Sequence, residues 1–239
     1  MKVTYDLHIH SGLSPCAEPE MTPNNIVNMA VIKELDFIAI CDHNAILNVS
    51  AALEVVNRDG LPIVVIPGIE VQTKEDVHLI CLFRTYQQLR AFYEDIIPHL
   101  QKIPHNAKRF GDQMLFDAED NWISSYDWSL YASIQLSVDD IVERVLQYEG
   151  DVIPAHVDRG SYSIVSNLGF ISPDLPIKVI EFSPEGSITS MVNRHPALRK
   201  YKHIINSDAH ELIQISEAIH TLEVSEKTVN AFFEALFTR

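Results

Sequence analysis

The sequence predicts an α/β fold in which a parallel sheet, wound with helices, closes into a barrel of seven or eight units. Three observations predict it. Short β-branched runs alternate with helical patterns along the 239 residues. Several runs are apolar throughout, which suits parallel strands covered on both faces. Histidines and acids recur beside these runs, mostly where they end, the rim that carries the active site in such barrels.

Strands are expected at Val3–His8, Phe37–Cys41, Pro62–Ile66, Val77–Phe83, Val152–Ala155, Lys178–Phe182 and His203–Asn206. Thr22-Pro23 supplies an N-cap and a first-turn proline to a helix that faces inward with Ile26, Val27, Ala30 and Val31. Ser137 caps a second helix, striped by Ile141, Val142, Val145 and Leu146. Ser225 is expected to cap the last helix, where Val229, Phe232, Phe233 and Leu236 fall at i, i+3, i+4 and i+7. Residues 84–136 break the rhythm. A helix from Tyr86 to about Leu100 leads to a basic patch (Lys102, His105, Lys108, Arg109). A hairpin over Met114–Ile123 follows, turning at Glu119-Asp120-Asn121. This segment reads as an insertion within a single domain, 1–239, because it is too short to bury a good core of its own.

The net charge is −15, which disfavours sequence-independent binding to nucleic acid. An anionic substrate stays compatible, because bound divalent cations reverse the local field. Three cysteines without a CxxC pair argue against a disulfide framework. No apolar stretch reaches the roughly 18–20 residues that span a membrane. The chain therefore reads as soluble and cytoplasmic. It has no GxxxxGK[ST] loop, GxGxxG fingerprint or GxSxG elbow.

The chemistry concentrates in histidines and carboxylates. Side chains alternate across a strand, so His8 and His10 share a face and make half a transition-metal site. Six of the eleven histidines (His8, His10, His43, His78, His156 and His210) stand beside strand-like runs, and burying so many imidazoles without a ligand is costly. Glu70, flanked by Ile69 and Val71 after a Pro67-Gly68 turn, reads as a buried carboxylate able to bridge two metals. Asp208 and His210 follow the last run. Asp42 and His43 are adjacent and face opposite ways on a regular strand, so His43 is the expected ligand and Asp42 supports the site indirectly or meets substrate. Cys16 is a loop residue within reach of a metal as thiolate, or one without a chemical role. Cys41 and Cys81 read as core. Arg159, three residues after His156, could grip a phosphate bidentately, and Arg194 is a weaker candidate. Glu181 reads first as a satisfied structural carboxylate and second as a residue lining the pocket. His78 is an exception, since it begins its run rather than ending it.

These residues, taken in order, carry a family resemblance. His8-Ile9-His10, Asp42-His43, Gly68-Ile69-Glu70, His78-Leu79-Ile80, Pro154-Ala155-His156 and Ser207-Asp208-Ala209-His210 resemble the motifs of the PHP (polymerase and histidinol phosphatase) family. The resemblance implies a distorted (β/α)7 TIM-like barrel and two or three divalent ions (zinc, iron or manganese). It implies a first ion on His8, His10, Glu70 and Asp208, and a second on Glu70, His78 and His156. His43 and His210 would hold a third, with Cys16 where many members have a His or Asp. A thiolate there favours zinc or iron over manganese.

The function expected is a metal-dependent phosphoesterase acting on a small phosphomonoester of nucleotide or histidinol-phosphate type. Its nucleophile is a metal-bridging hydroxide. Asp208, His210 and Arg159 are the expected catalytic residues, and Arg159 and Arg194 meet the substrate. Two other readings stand beside it: a 5′–3′ exonuclease on single-stranded ends, supported locally by the basic patch, and a catalytically silent metal-binding module.

Overall fold

In a computed structural model, which describes residues 1–238, the chain folds as a curled, mixed α/β sheet wrapped by helices. In order come β1 (Lys2–Ile9), α1 (Pro23–Ile32), β2 (Phe37–Ile40), α2 (Val49–Asp59), β3 (Val64–Gln72) and β4 (His78–Leu82). Next are α3 (Tyr86–Ile96), α4 (Ala107–Phe110), β5 (Met114–Phe116), β6 (Trp122–Ser125), α5 (Val138–Gln147) and β7 (Asp151–Pro154). Last are α6 (Ile164–Leu168), β8 (Val179–Phe182), α7 (Ile188–Arg194), β9 (Lys202–Ile205), β10 (Thr221–Glu223) and α8 (Val229–Phe237).

The main sheet has six strands in the order β10-β1-β2-β3-β4-β7. A parallel pair, β8-β9, continues the curl beyond β7, and a bridge between Ile9 and Ala209 ties the segment after β9 back to β1.

The sheet is not all parallel. β1, β2 and β3 run together, but β4 is antiparallel to both β3 and β7, and β10 is antiparallel to β1. A tight turn, with Asp76 at φ 56° and the Thr73 amide bonded to the Val77 carbonyl, joins β3 to β4 without a crossover helix. This reversal explains His78. Because β4 runs backwards, its first residue pairs with Gln72 at the end of β3 and lies at the same rim as the other strand ends.

Two local expectations also change. Pro67 and Gly68 do not form a turn but lie inside β3, Pro67 paired with Ile40 and Gly68 with Leu82. Glycine is needed there for close approach, since a Cβ would sit 2.6 Å from Cys41 Sγ. The cap of α8 is Thr228, whose hydroxyl accepts from the Ala231 amide, rather than Ser225. Ser137 caps α5 in a reciprocal box with Asp140, and Thr22 caps α1 ahead of Pro23, both as read from sequence.

The interior is two apolar bodies on either side of the sheet. One is packed under α1, α2, α3 and α5. The other is a plug of Tyr5, Phe37, Ile66, Phe232 and Phe233, where Phe37 and Phe232 stack with ring centroids 4.5 Å apart.

Candidate metal centre

Five strand ends place the site. His8 and His10 close β1, His43 follows β2, Glu70 is in β3, His78 opens β4 and His156 follows β7. Asp208 and His210 come from the loop after β9 that is bridged to β1. All are buried except His210, which is half-buried, and Asp208, only slightly exposed.

Glu70 is the hub. Its oxygens lie 3.3 Å from His8 Nε2, 2.9 Å from His78 Nδ1, 3.4 Å from His156 Nε2 and 2.7 Å from His43 Nδ1. The donors expected for a first ion lie close to His8 and His10: His8 Nε2 is 3.1 Å from His10 Nε2 and 3.3 Å from Asp208 Oδ1, which is 3.0 Å from His10 Nε2, and Glu70 Oε2 is 3.6 Å from His10 Nε2. A tetrahedral shell with bonds of about 2.0–2.1 Å puts neighbouring donors about 3.3–3.4 Å apart, so this spacing fits a transition ion. Among the described residues, three overlapping groups have ligand atoms within 4.8 Å of one another: His8-His10-Glu70, His43-Glu70-His78 and His10-His43-His210.

Hydrogen bonding tells the same story from the other side. The close contacts to Glu70 lack hydrogen-bond geometry: both of its oxygens and His43 Nδ1 are buried without a hydrogen-bond partner, as are His78 Nε2 and His156 Nδ1. Unpaired buried polar atoms cost about 1–3 kcal/mol each, and a cluster of them is what a cation-shaped void looks like. The donor set therefore fits divalent ions.

Supporting residues fix the ring orientations. Glu181 accepts from His8 Nδ1 at 3.1 Å, from the His156 amide at 2.9 Å and from Asn206 Nδ2 at 2.6 Å. His8 is thereby held with Nε2 turned to the cluster. Ser14 Oγ accepts from His10 Nδ1 at 2.9 Å and donates to Asp42 at 2.7 Å, so a buried Asp42–Ser14–His10 chain orients the second ring. Glu181 is thus part of the site's support, a role its reading as a structural carboxylate understated. Ser14 and Asn206 went unnoticed; their signal was a hydroxyl four residues past His10 and an amide just before Ser207-Asp208.

The electrostatics are those of closely packed opposite charges. Burial favours the neutral acid at Glu70, but His78, His8 and His43 outweigh it and hold the carboxyl well below the usual range. Asp208 behaves likewise: against burial, His8 and His10 bring it well down. Burial likewise opposes a charge on His8, yet Glu181, Asp208 and Glu70 raise it well above normal. His10 is pushed down by burial and by the nearby His210 and His43. The Cys16 thiol loses its burial penalty to His43 and His210 and falls to about 6, with Sγ 3.1 Å from His210 Nε2.

The centre opens into a cavity of about 500 Å³ whose wall includes Cys16, Phe110, Tyr131, Arg159 and Tyr162. Arg159 reaches the site, with Nη1 2.6 Å from Asp208 Oδ2. Arg194 does not. It is exposed at the end of α7, lines a separate depression with Phe170 and Pro196, and donates to Met191 Sδ one turn back on its own helix. His99, His105, His195, His203 and His220 all stay outside the cluster.

The PHP domain family model matches residues 6–154. The chain belongs to the PHP family. Among curated proteins it is similar to the 5′-3′ exoribonuclease Rnm of Salmonella typhimurium (35% identical) and of Escherichia coli (34%), each over 83 residues. Those matches cover 34% of this chain and only 27% of the relatives' length. Among solved structures, it resembles the lesion-specific endonuclease PfuEndoQ from Pyrococcus furiosus, with TM-score 0.75 at 20% identity, over 99% of this chain and 56% of that one. It also resembles a two-domain protein with a predicted PHP-like metal-dependent phosphoesterase from Bacteroides vulgatus, with TM-score 0.63 at 16% identity, over 100% of this chain and 63% of that one. At such identities the structural likeness speaks for the fold.

Proposed function

We propose that this PHP-family metal-dependent hydrolase cleaves phosphate esters of small size, a phosphomonoester up to a nucleotide in bulk. The observation that carries the reading is the convergence of His8, His10, Glu70 and Asp208 at donor spacings of 3.0–3.6 Å beside Arg159. The cavity of about 500 Å³ is the size of small-ligand sites in general. On the finer fold reading, β1–β4 and β7–β9 are the seven strands of a distorted (β/α)7 barrel. Residues 1–239 form one domain, and 84–136 are an insertion walling one side of the cavity.

His8, His10, Glu70 and Asp208 would hold one divalent ion, Glu70, His78 and His156 a second, and His43, His210 and Cys16 a third. Zinc, iron or manganese in these positions would supply Lewis acidity, lowering the pKa of water and neutralising phosphoryl charge. The chain's own residues do the rest. Asp208 holds the Arg159 guanidinium at the cavity wall, and its remaining N–H groups are free to pair with non-bridging phosphoryl oxygens. His210 donates Nδ1–H to the Asp208 carbonyl at 2.7 Å, which leaves Nε2 beside Cys16 as the acceptor that would meet the third ion on the leaving-group side. Glu181, Ser14 and Asp42 keep His8 and His10 from turning away.

A second reading, a 5′–3′ exonuclease on single-stranded ends, is favoured by the exoribonuclease relatives and by the basic run Lys108-Arg109 before Phe110. The net charge of −15 weighs against it. The test is phosphate release from a panel of phosphomonoesters by metal-loaded protein, run beside a 5′-labelled oligonucleotide. Monoester turnover without nucleotide release supports the first reading. Stepwise mononucleotide release supports the second. A loaded protein inert on both overturns each.

A further inference from the structure

We propose that Phe110, Tyr131 and Tyr162 form an aromatic clamp that holds the nucleobase of the substrate beside the metal centre. The inference rests on the phosphoesterase reading and selects, among phosphate esters, those that carry a base.

The three rings are conspicuous for their exposure. Phe110 is 41% exposed, Tyr131 38% and Tyr162 47%, yet all three line the same cavity as the histidine cluster. Large apolar rings left open around a polar centre are unsatisfied surface, and a planar ligand would cover them. They come from separate parts of the chain. Phe110 ends α4, Tyr131 lies between β6 and α5, and Tyr162 is in the loop after His156.

The rings are also held in place. Tyr162 has φ 57°, a left-handed conformation that a bulky side chain rarely takes. It is fixed there because its carbonyl accepts from the His78 amide at 2.9 Å, and its ring stacks on the His78 imidazole at 4.9 Å. Backbone strain of this kind persists where surrounding structure imposes it, and it clusters at ligand clamps. Elsewhere on the cavity wall, Tyr131 packs against the His43 ring at 6.1 Å and meets Phe110 edge-on at 5.8 Å. Gly111 locks α4 down: at φ 89° it passes so close to Pro15 that a Cβ would lie 2.3 Å from that carbonyl oxygen. Phe110 is thus tied to the loop that carries Cys16. A base between these walls would present its attached phosphate to Arg159 and the histidines. A non-aromatic ester would leave the rings uncovered.

The test compares AMP with ribose 5-phosphate, which share the phosphate and sugar and differ in the base. Stacking on aromatic side chains makes wild-type kcat/KM about tenfold to a hundredfold higher for AMP, mostly through KM. Phe110→Ala and Tyr162→Ala each lower the AMP to ribose 5-phosphate ratio by about tenfold. Tyr162→Phe keeps it, because the ring remains. Phe110 is exposed, so its replacement leaves the core intact. Equal wild-type kcat/KM for the two esters, or an undiminished ratio in both alanine variants, overturns the clamp while leaving the phosphoesterase reading standing. Failure to hydrolyse either ester, or any phosphomonoester, removes the reading on which the clamp rests.

Discussion

The rim of the sheet and the plug beneath α8 are built on opposite principles. At the rim, acids and imidazoles are buried with several polar atoms unpaired, and His156, Tyr162 and Asp208 sit at positive φ. At α8, Phe232 and Phe233 pack with Tyr5 and Phe37 to fill space with buried rings, and Thr228 caps the helix start. One end gives up stability to hold a cation-shaped void, and the other supplies the burial that lets the fold tolerate it. The protein's weak end and its active end are therefore the same end.

The sharpest way to break that contrast is to remove ligands. The double variant His8→Ala, His10→Ala should lose bound metal and at least about a thousandfold in phosphoesterase activity, since metals contribute several kcal/mol of transition-state stabilisation. Its apo form should also lose about 3–5 kcal/mol at neutral pH, because without the His8 imidazolium Glu70, Asp208 and Glu181 are left as buried acids lacking their cation. Denaturant melts of the apo forms check this, and unchanged apo stability would show that these charges do not hold the rim together.

Phe232→Ala attacks the other end. It should cost about 3–5 kcal/mol of stability by urea unfolding. Metal content per folded molecule should stay the same by elemental analysis.

Chelation tests the link between the ends. Metal at about one hundred times its dissociation constant should add about 2.7 kcal/mol to unfolding free energy, and EDTA should remove it. An unchanged melting temperature would contradict a folded-state metal site.

Glu181→Gln should weaken metal affinity by about 10–100-fold, since it orients His8 without itself being a proposed ligand. Competition against a chromogenic chelator reads this directly.

The smallest effect belongs to a surface pair away from the rim. Partial burial would raise the Asp36 carboxyl, but Lys227 and the Thr4 amide more than offset it, and its pKa is lowered. A carboxyl depressed on folding stabilises above its unfolded pKa of about 3.9, and that stability fades as pH falls through the folded value. Lys227→Met should therefore cost no more than about 1 kcal/mol at pH 7, and the difference from wild type should shrink as pH falls below about 3.9.

Much of the site could be read before any fold was known. The His8/His10 pair is visible because strand alternation is local, and the caps of α1 and α5 are visible because capping involves residues three apart. His78 shows the limit. Its place at the start of a run conflicted with a parallel sheet, and strand direction depends on a partner strand chosen in three dimensions. Gly68 shows it again: a Pro-Gly step reads as a turn, but here the glycine makes room for Cys41 within a strand. Arg159 had the better local credentials, three residues after His156, and Arg194 the weaker ones, and only the folded chain shows which of them lies against the cluster.

By itself, then, the sequence determined the α/β alternation, the main helix starts and which imidazoles and carboxylates were too many to bury alone. These follow from short-range periodicity and from the cost of desolvating polar groups. Tertiary structure alone decided that β4 runs backwards, that Glu181 and Ser14 hold the rings, and that three aromatic side chains from distant segments face one cavity. Those outcomes depend on contacts between residues far apart in the chain, which no local pattern encodes.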